Sequence, residues 1–188
     1  ALGSETMVGD QGGPNSYPGD YFNGDAPQKY KIKGSFGHPV PVVDGRTQSS
    51  GGKAKGVVLQ KEFTNEKDVF SIDYTSAYST PNLDKLIRTF VYDRQGKGSF
   101  TAGDEFTAKT PIRFETAITT RADWKVLDDT HLLLATDSEQ MIVAIDASGK
   151  VAFTSETIEV NSPAYTRIGI ALKNQSKEGY IRLKMYTK

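Results

Sequence analysis

Apolar and polar residues alternate along several stretches of the chain, and this alternation predicts β-strands. In residues 180–186, Ile181, Leu183 and Met185 fall on one face, whereas the two residues between them are basic. A period of two is the pattern of a strand that buries one face. Runs of apolar, β-branched and aromatic residues predict further strands over residues 86–92, 111–119, 131–136 and 140–145.

Signals for helices are few. Residues 80–85 offer an N-cap threonine followed by Pro81 at the first helical position, which predicts about one turn of helix. Residues 146–150 have the composition of a turn and predict a hairpin between the apolar runs on either side. The chain is therefore predicted to be all-β, an antiparallel multilayer β-sandwich, supersandwich-like, with little helix.

The composition supports this fold class and a single domain over residues 1–188. The chain has 18 Thr, 12 Val, 11 Ile, 9 Tyr and 9 Phe, the residue types that favour a pleated, half-buried surface. The first 56 residues hold 12 of the 18 Gly and 5 of the 8 Pro, so this part is either a disordered leader or an ordered, loop-rich face. Its aromatic residues favour the ordered face, because disordered segments are poor in aromatics.

Charge and cysteine content exclude several classes of function. Lys plus Arg and Asp plus Glu each count 23, and a chain without excess positive charge is a poor nucleic-acid binder. No apolar run approaches the roughly 18 to 20 residues of a membrane span. The absence of cysteine excludes disulfides, thiolate metal sites and thiol catalysis. The sequence also lacks a nucleophile elbow, a phosphate loop and a His-Glu-x-x-His motif.

The chain has two histidines, and His38 has the more unusual surroundings. It lies between Gly37 and Pro39, and Pro39 cannot donate a backbone hydrogen bond to a sheet. A histidine at such a corner is a candidate ligand or proton-transfer group, or else a surface residue held by hydrogen bonds. His131 begins an apolar run and is interpreted as a residue at the edge of a strand.

Basic residues alternate in one short segment near the start of the chain. Lys29, Lys31 and Lys33 are separated by Tyr30 and Ile32, which predicts a strand with one basic face. Such a face is suited to a polyanionic partner, although lysines on an edge strand also guard against aggregation.

Four segments of the chain have the residues and spacing of known family motifs. Residues 37–45 with Gln48 are similar to the element GHxxPxVxGxxQ. Residues 73–78 resemble the element DxTxAY, and residues 88–92 resemble the RxFxF strand. Residues 8–12, followed by Tyr17, resemble the DxG…Y loop. Together, and in the order in which they occur along the chain, the four segments resemble the C-terminal β-domain of heparinase II/III-like polysaccharide lyases.

This resemblance implies a part of a larger enzyme. Family members join a helical toroid to a β-domain and cleave uronic-acid glycans, including glycosaminoglycans, by β-elimination. The catalytic groups belong mainly to the toroid, and no helical bundle is predicted here. The resemblance therefore implies that these 188 residues are the β-domain of a periplasmic or secreted bacterial lyase, inactive in isolation.

The resemblance also implies candidate site residues. Several family members hold zinc in the β-domain, and Asp10 and His38 match two of its ligands by position. A zinc site needs three or four protein ligands, so we expect zinc only in a longer parent chain. Asp10 is alternatively an acid that caps backbone N–H groups of its glycine-rich loop. Contact with an acidic polysaccharide is expected from four basic residues, Lys29, Lys31, Lys33 and Arg46.

An alternative function is a non-catalytic carbohydrate-binding β-sandwich. Such a module would stack sugar rings on exposed aromatic residues, for which Tyr17, Tyr21, Phe22 and Trp124 are the candidates. Trp124 is equally well explained as a core residue. A structural module of a secreted assembly is a third possibility.

Overall fold

Two antiparallel sheets make up the fold, as seen in a computed structural model that describes residues 5–10, 13, 16–24, 29–49, 51–159 and 164–188. The described residues form twelve strands. In chain order they are β1 (Val42–Val43), β2 (Val57–Phe63), β3 (Lys67–Asp73), β4 (Leu83–Asp93), β5 (Ser99–Ile112), β6 (Phe114–Thr120), β7 (Asp123–Asp128), β8 (His131–Ala135), β9 (Gln140–Ala147), β10 (Val151–Ile158), β11 (Tyr165–Leu172) and β12 (Ser176–Thr187).

The two sheets differ in width. The small sheet has the order β1-β6-β11-β10, and the large sheet has the order β2-β3-β4-β5-β12-β9-β8-β7. All of the paired strands are antiparallel. Among the residues that the structure describes, helix is confined to a few short segments, which include single 3-10 turns at Ser35–Gly37 and Thr75–Ala77. The predicted all-β, antiparallel sandwich is confirmed.

The main core lies between the two sheets. The strand alternation predicted for residues 180–186 is confirmed, because Ile181, Leu183 and Met185 of β12 are all buried in this core. Phe106 of β5 stacks on Phe114 of β6 with their ring centroids 4.5 Å apart, which joins the large sheet to the small one. Among the described residues, none of the helical segments is long and apolar enough to be a membrane span.

A layer of loops packs against the small sheet and forms a second, smaller core. Tyr21 and Ile32 from the loops are buried with Ile158 of β10 and Tyr165 of β11. The loop-rich first part of the chain is thus an ordered face over residues 16–24 and 29–49, as its aromatic content predicted. This layer carries the candidate site.

Two predictions about connections are wrong. Residues 111–119 are not one strand, because the chain leaves the large sheet after Ile112 and enters the small sheet at Phe114. The backbone N–H and C=O of Arg113, between them, bond to Asp44 at 2.8 and 2.9 Å. The predicted hairpin at residues 146–150 is a crossover, since β9 and β10 belong to different sheets. Turn composition shows that a chain reverses, but it does not identify the partner strand.

Two local predictions are also wrong. The predicted helical turn at residues 80–85 is a tight turn in which the Leu83 N–H donates to the Thr80 carbonyl at 3.1 Å, and β4 begins at Leu83. Burial of Leu83 and Leu86 against the core outweighs the helix-start signal of Pro81. Residues 29–33 are not a strand but run into a turn closed by Lys33 N–H and the Tyr30 carbonyl, 2.9 Å apart.

Candidate functional site

Asp10 and His38 lie side by side at the edge of the loop layer. His38 Nδ1 is 2.9 and 2.8 Å from the two carboxylate oxygens of Asp10, and its Nε2 is 3.0 Å from the backbone carbonyl of Ile32. A carbonyl oxygen can only accept a hydrogen bond, so Nε2 carries a proton. Nδ1 is therefore the nitrogen that faces Asp10 and can share a proton or a metal ion with it.

This arrangement fits two ligands of a metal site. Metal-binding imidazoles usually donate their second N–H to a carbonyl or carboxylate, which is the role of Ile32 here. Imidazole nitrogen and carboxylate oxygen are both ligands of zinc. No group of three or more potential metal-binding side chains occurs among the residues that the structure describes. Asp10 and His38 are thus brought together as predicted, and the binding of zinc by them stays a prediction.

Three buried side chains donate hydrogen bonds to the backbone of the corner that carries His38. Tyr165 Oη donates to the Gly37 carbonyl at 2.6 Å. Arg88 Nη1 donates to the Pro39 carbonyl at 2.6 Å, and Tyr78 Oη donates to the Pro41 carbonyl at 2.7 Å. The family-like segments around residues 37–48, 73–78 and 88–92 therefore meet at this corner.

Arg88 belongs to a buried polar network that was not predicted. Its Nε and Nη2 each lie 2.7 Å from an oxygen of Asp104. The same carboxylate accepts hydrogen bonds from Tyr74 Oη at 2.7 Å and from Thr116 Oγ1 at 2.6 Å. The sequence did carry a signal, because Arg88 alternates with the buried Leu86 and so falls on the inward face of β4.

The three predicted lysines each have a partner within the loop layer or the small sheet. Lys29 forms an ion pair with Asp20, and Lys31 forms one with Glu156 of β10. Lys33 donates to the backbone carbonyl of Tyr21. They therefore do not form the predicted strand face, but their ammonium groups lie on the same layer as His38.

Four aromatic side chains cluster beside these lysines. Tyr17, Tyr21, Phe22 and Tyr30 have neighbouring ring centroids 5.0 to 5.5 Å apart. Phe22 is 73% exposed and Tyr17 is 57% exposed, whereas Tyr21 is buried. The Lys33 ammonium lies 5.1 Å from the Tyr21 ring centroid and 5.4 Å from that of Phe22.

We call this set the aromatic–lysine surface: Tyr17, Tyr21, Phe22, Lys29, Tyr30 and Lys33. It unites residues that the sequence assigned to two different functions, polyanion contact and sugar stacking. Three other candidates are not part of it. Lys31 pairs with Glu156 of β10 instead. Arg46 donates to the Ser79 carbonyl at 3.3 Å, and Trp124 of β7 packs against the main core.

A further opening lies between the two sheets. This cleft of about 590 Å3 is bordered by Phe90 and Tyr92 of β4, Phe100 of β5, Ile118 of β6 and Met185 of β12. Its lining is largely apolar, and it is separate in its lining residues from the aromatic–lysine surface.

Comparison with known proteins gives a likeness in structure alone. No family model matches the sequence, and no curated protein matches it. A crystal structure of heparinase III superimposes with a TM-score of 0.69 at 16% identity, over 88% of this chain and 26% of that chain.

Two further solved structures agree with this likeness. Another heparinase III gene product, with methylated lysines, gives a TM-score of 0.72 at 13% identity, over 98% of this chain and 28% of that chain. A mutant of the heparan sulfate lyase HepC from Pedobacter heparinus gives 0.74 at 14% identity, over 98% and 29%. The chain spans only about a quarter of the length of these proteins. The predicted resemblance is thus confirmed at the level of the fold, and the chain has the fold of a heparinase-like β-domain.

Proposed function

We propose that this chain is the β-domain of a polysaccharide lyase and that it binds an acidic polysaccharide through the aromatic–lysine surface. The lyase would cleave uronic-acid glycans by β-elimination, with its catalytic groups in a helical toroid of the same parent chain. The observation that carries the proposal is the contact of Lys33 with Tyr21 and with the exposed ring of Phe22.

The chemistry of this surface suits a charged sugar chain. An exposed aromatic ring offers a flat apolar face to the C–H groups of a sugar, and the adjacent ammonium group offers donors to a carboxylate or sulfate. An ammonium group has three N–H donors, so the ion pair of Lys29 with Asp20 leaves capacity for a second anionic partner. The neutral net charge of the chain is compatible with this proposal, because the basic groups act locally.

Asp10 and His38 are proposed as two of the zinc ligands in the parent. When bound there, zinc would add positive charge beside the loop layer and hold the two side chains together. The chain's own contribution is the orientation of the imidazole, since Ile32 fixes Nε2 and leaves Nδ1 toward Asp10.

Two further parts of the proposal concern the parent protein. We expect the 188-residue chain to be inactive alone, because in the resembling family the catalytic groups belong mainly to the toroid. We also propose that the parent acts in the periplasm or is secreted, where such glycans are handled.

Glycan binding by the 188-residue chain tests the proposal. Calorimetric titration with heparan sulfate, chondroitin sulfate, hyaluronan and alginate should show binding to at least one, and neutral dextran should show none. Phe22→Ala should weaken that binding about twofold to thirteenfold, the range expected for an aromatic contact of about 0.5 to 1.5 kcal/mol. Lys33→Gln should weaken it as well and reduce its dependence on salt.

Two matched variants serve as controls. Phe63→Ala removes a ring that is 64% exposed on β2, and Lys61→Gln removes a charge from the same strand. Both should leave the affinity unchanged. Equal losses in the control and test variants would contradict the assignment of the surface, and absence of binding to every acidic glycan would contradict the proposal.

A non-catalytic carbohydrate-binding module is the second candidate, and the exposed ring cluster supports it equally. The two candidates differ in the parent chain. A parent that releases unsaturated uronates, detected by their ultraviolet absorbance, supports the lyase. Glycan binding by a parent without such release supports the module. Release of unsaturated uronates by the 188-residue chain itself would contradict the assignment of catalysis to another domain.

A further inference from the structure

We propose that Tyr165, Arg88 and Tyr78 are positioning residues that fix the His38 corner, residues 37–41, and thereby the imidazole of His38. The inference concerns how the corner is held, and it depends on neither the proposed metal nor the proposed glycan. It assigns a task to three buried side chains that no function described so far requires.

The three bonds are made to alternate carbonyl groups of the corner, those of Gly37, Pro39 and Pro41. Each of the three accepts a hydrogen bond at 2.6 or 2.7 Å from one of the positioning residues.

The sequence of the corner explains why side chains are needed. Pro39 and Pro41 have no N–H, so the corner cannot pair as a regular strand. A buried carbonyl without a partner is costly, and donors from the core satisfy these carbonyls instead. The donors belong to separate parts of the fold: Tyr165 to β11, Arg88 to β4, and Tyr78 to the segment after the 3-10 turn at Thr75–Ala77. The position of the corner is therefore set by both sheets at once.

The donors are themselves held in place. Arg88 is fixed by Asp104, which accepts its Nε and Nη2. Burial raises the pKa of Tyr165 to about 12 and raises the pKa of Tyr78 as well, so both hydroxyl groups keep their protons near neutral pH.

The opposite side of the corner is equally constrained. The imidazole Nε2 of His38 bonds to the Ile32 carbonyl, and the Gly37 N–H bonds to the Lys31 carbonyl at 3.1 Å. A side chain at Gly37 would overlap the backbone of Lys31 and Ile32. His38 is thus held between Lys31 and Ile32 of the loop layer on one side and the positioning residues on the other.

Hydrogen exchange in the 188-residue chain tests the proposal with three single Tyr→Phe substitutions. Tyr165→Phe and Tyr78→Phe each remove one hydroxyl group that bonds to the corner. Tyr180→Phe is the control, since the hydroxyl group of Tyr180 on β12 bonds to Asp146 at 3.2 Å and not to the corner or to Asp104. The corner is followed through the amide N–H groups of His38 and Val40, which donate to Ser35 and His38 carbonyls at 3.1 and 2.8 Å.

The amide of Ile168, buried in β11, reports the opening of the whole domain. In Tyr165→Phe and Tyr78→Phe, the corner amides should exchange at least about tenfold faster relative to Ile168, and the imidazole 15N resonances of His38 should shift. His131 is the internal reference and should not shift. In Tyr180→Phe, the exchange rate of the corner amides relative to Ile168 should stay as in the unmodified chain.

Two results would overturn the proposal. Parallel acceleration of the corner amides and Ile168 would mean that the hydroxyl groups contribute only to overall stability. An equal response to Tyr180→Phe would mean that the corner responds to the loss of any tyrosine hydroxyl group. Neither result bears on glycan binding, so this inference and the proposed function fail separately.

Discussion

Arg88 and Asp104 lie directly opposite each other on β4 and β5, and their side chains form a bidentate ion pair with two contacts of 2.7 Å. The pair is buried between the sheets, where Thr116 of the small sheet donates to the same carboxylate at 2.6 Å. One charged pair therefore connects the two sheets and, through Pro39, the His38 corner.

Asp104→Asn should strongly destabilise the domain. The substitution leaves the Arg88 guanidinium buried without a counter-charge, and breaking a buried pair in this way typically costs about 3 to 5 kcal/mol. Urea denaturation, with fluorescence of Trp124 as the signal, measures the free energy of unfolding.

Asp68→Asn is the matched control for this prediction. Asp68 pairs with Arg94 through contacts of 2.5 and 3.0 Å, but that pair is on the surface. The loss of an exposed pair should cost no more than about 1 kcal/mol. Similar losses in the two variants would show that the buried pair has no special role in stability.

Gly37→Ala should destabilise the domain because there is no room for a methyl group. The added carbon would overlap the backbone of Lys31 and Ile32, which can move only if the His38 corner moves. Overpacking of this kind costs about 1 to 3 kcal/mol or more.

Gly19→Ala provides the comparison, since nothing lies within 4 Å of the added carbon there. Its effect on the free energy of unfolding should stay within about 0.5 kcal/mol, as for most surface substitutions. Equal midpoints of thermal denaturation for Gly37→Ala and Gly19→Ala would mean that the backbone around Gly37 can move to make room for the added carbon.

Stability should fall in alkaline solution. Burial raises the pKa of Tyr74, Tyr78 and Tyr165 above the ordinary value, to about 12 for Tyr165. The unfolded chain loses these phenolic protons near pH 10, before the folded chain does. The stabilisation is therefore complete below about pH 10 and is lost as the pH rises toward the folded values.

Urea midpoints between pH 8 and 12 check this prediction. The Tyr165→Phe variant has no phenol to ionise at that position. Its urea midpoint should therefore fall less steeply above pH 10 than that of the unmodified chain. An identical slope in both proteins would contradict the contribution assigned to Tyr165.

Added zinc should bind only weakly to the 188-residue chain. The zinc that binds should do so at the Asp10–His38 pair. Two protein ligands leave most of the coordination to water, so we expect no tight binding. The imidazole resonance of His38 should shift with added zinc, and His38→Ala should remove this binding.

His131 offers a matched comparison, because its Nδ1 lies 3.0 Å from Asp128 Oδ1 in a second histidine–aspartate pair. In that pair Nδ1 of His131 is also 2.9 Å from Thr130 Oγ1, so a zinc ion would compete with this hydroxyl group for the nitrogen. His131→Ala should leave zinc binding unchanged. Stronger binding at His131 than at His38 would remove the support for His38 as the preferred ligand.

The sequence predicted the fold class well because strand alternation is a local property. The residues of β12 alternate with a period of two, and this pattern holds wherever β12 is placed. The partners of each strand were less predictable. Arg113 carries no signal that the chain changes sheets there, since the apolar pattern continues on both sides of it.

The candidate site was predicted in part. The resemblance placed Asp10 with His38, and the structure brings their side chains to within hydrogen-bonding distance. It could not assign Arg88 and Tyr78 to the support of the corner, because those bonds join residues 37 to 49 positions apart in the chain. The lysines were misplaced because alternation over only five residues fits a turn as well as a strand.

The β2 strand has a consequence for how the large sheet comes apart. It is one of the two edge strands, and all seven of its residues are exposed, whereas each inner strand of that sheet buries at least part of one face. Little apolar burial opposes its detachment, and its register shifts between Val58 and Gln60. Separation of the sheet should therefore proceed strand by strand from this edge, so that β2 leaves while the sandwich interior stays closed.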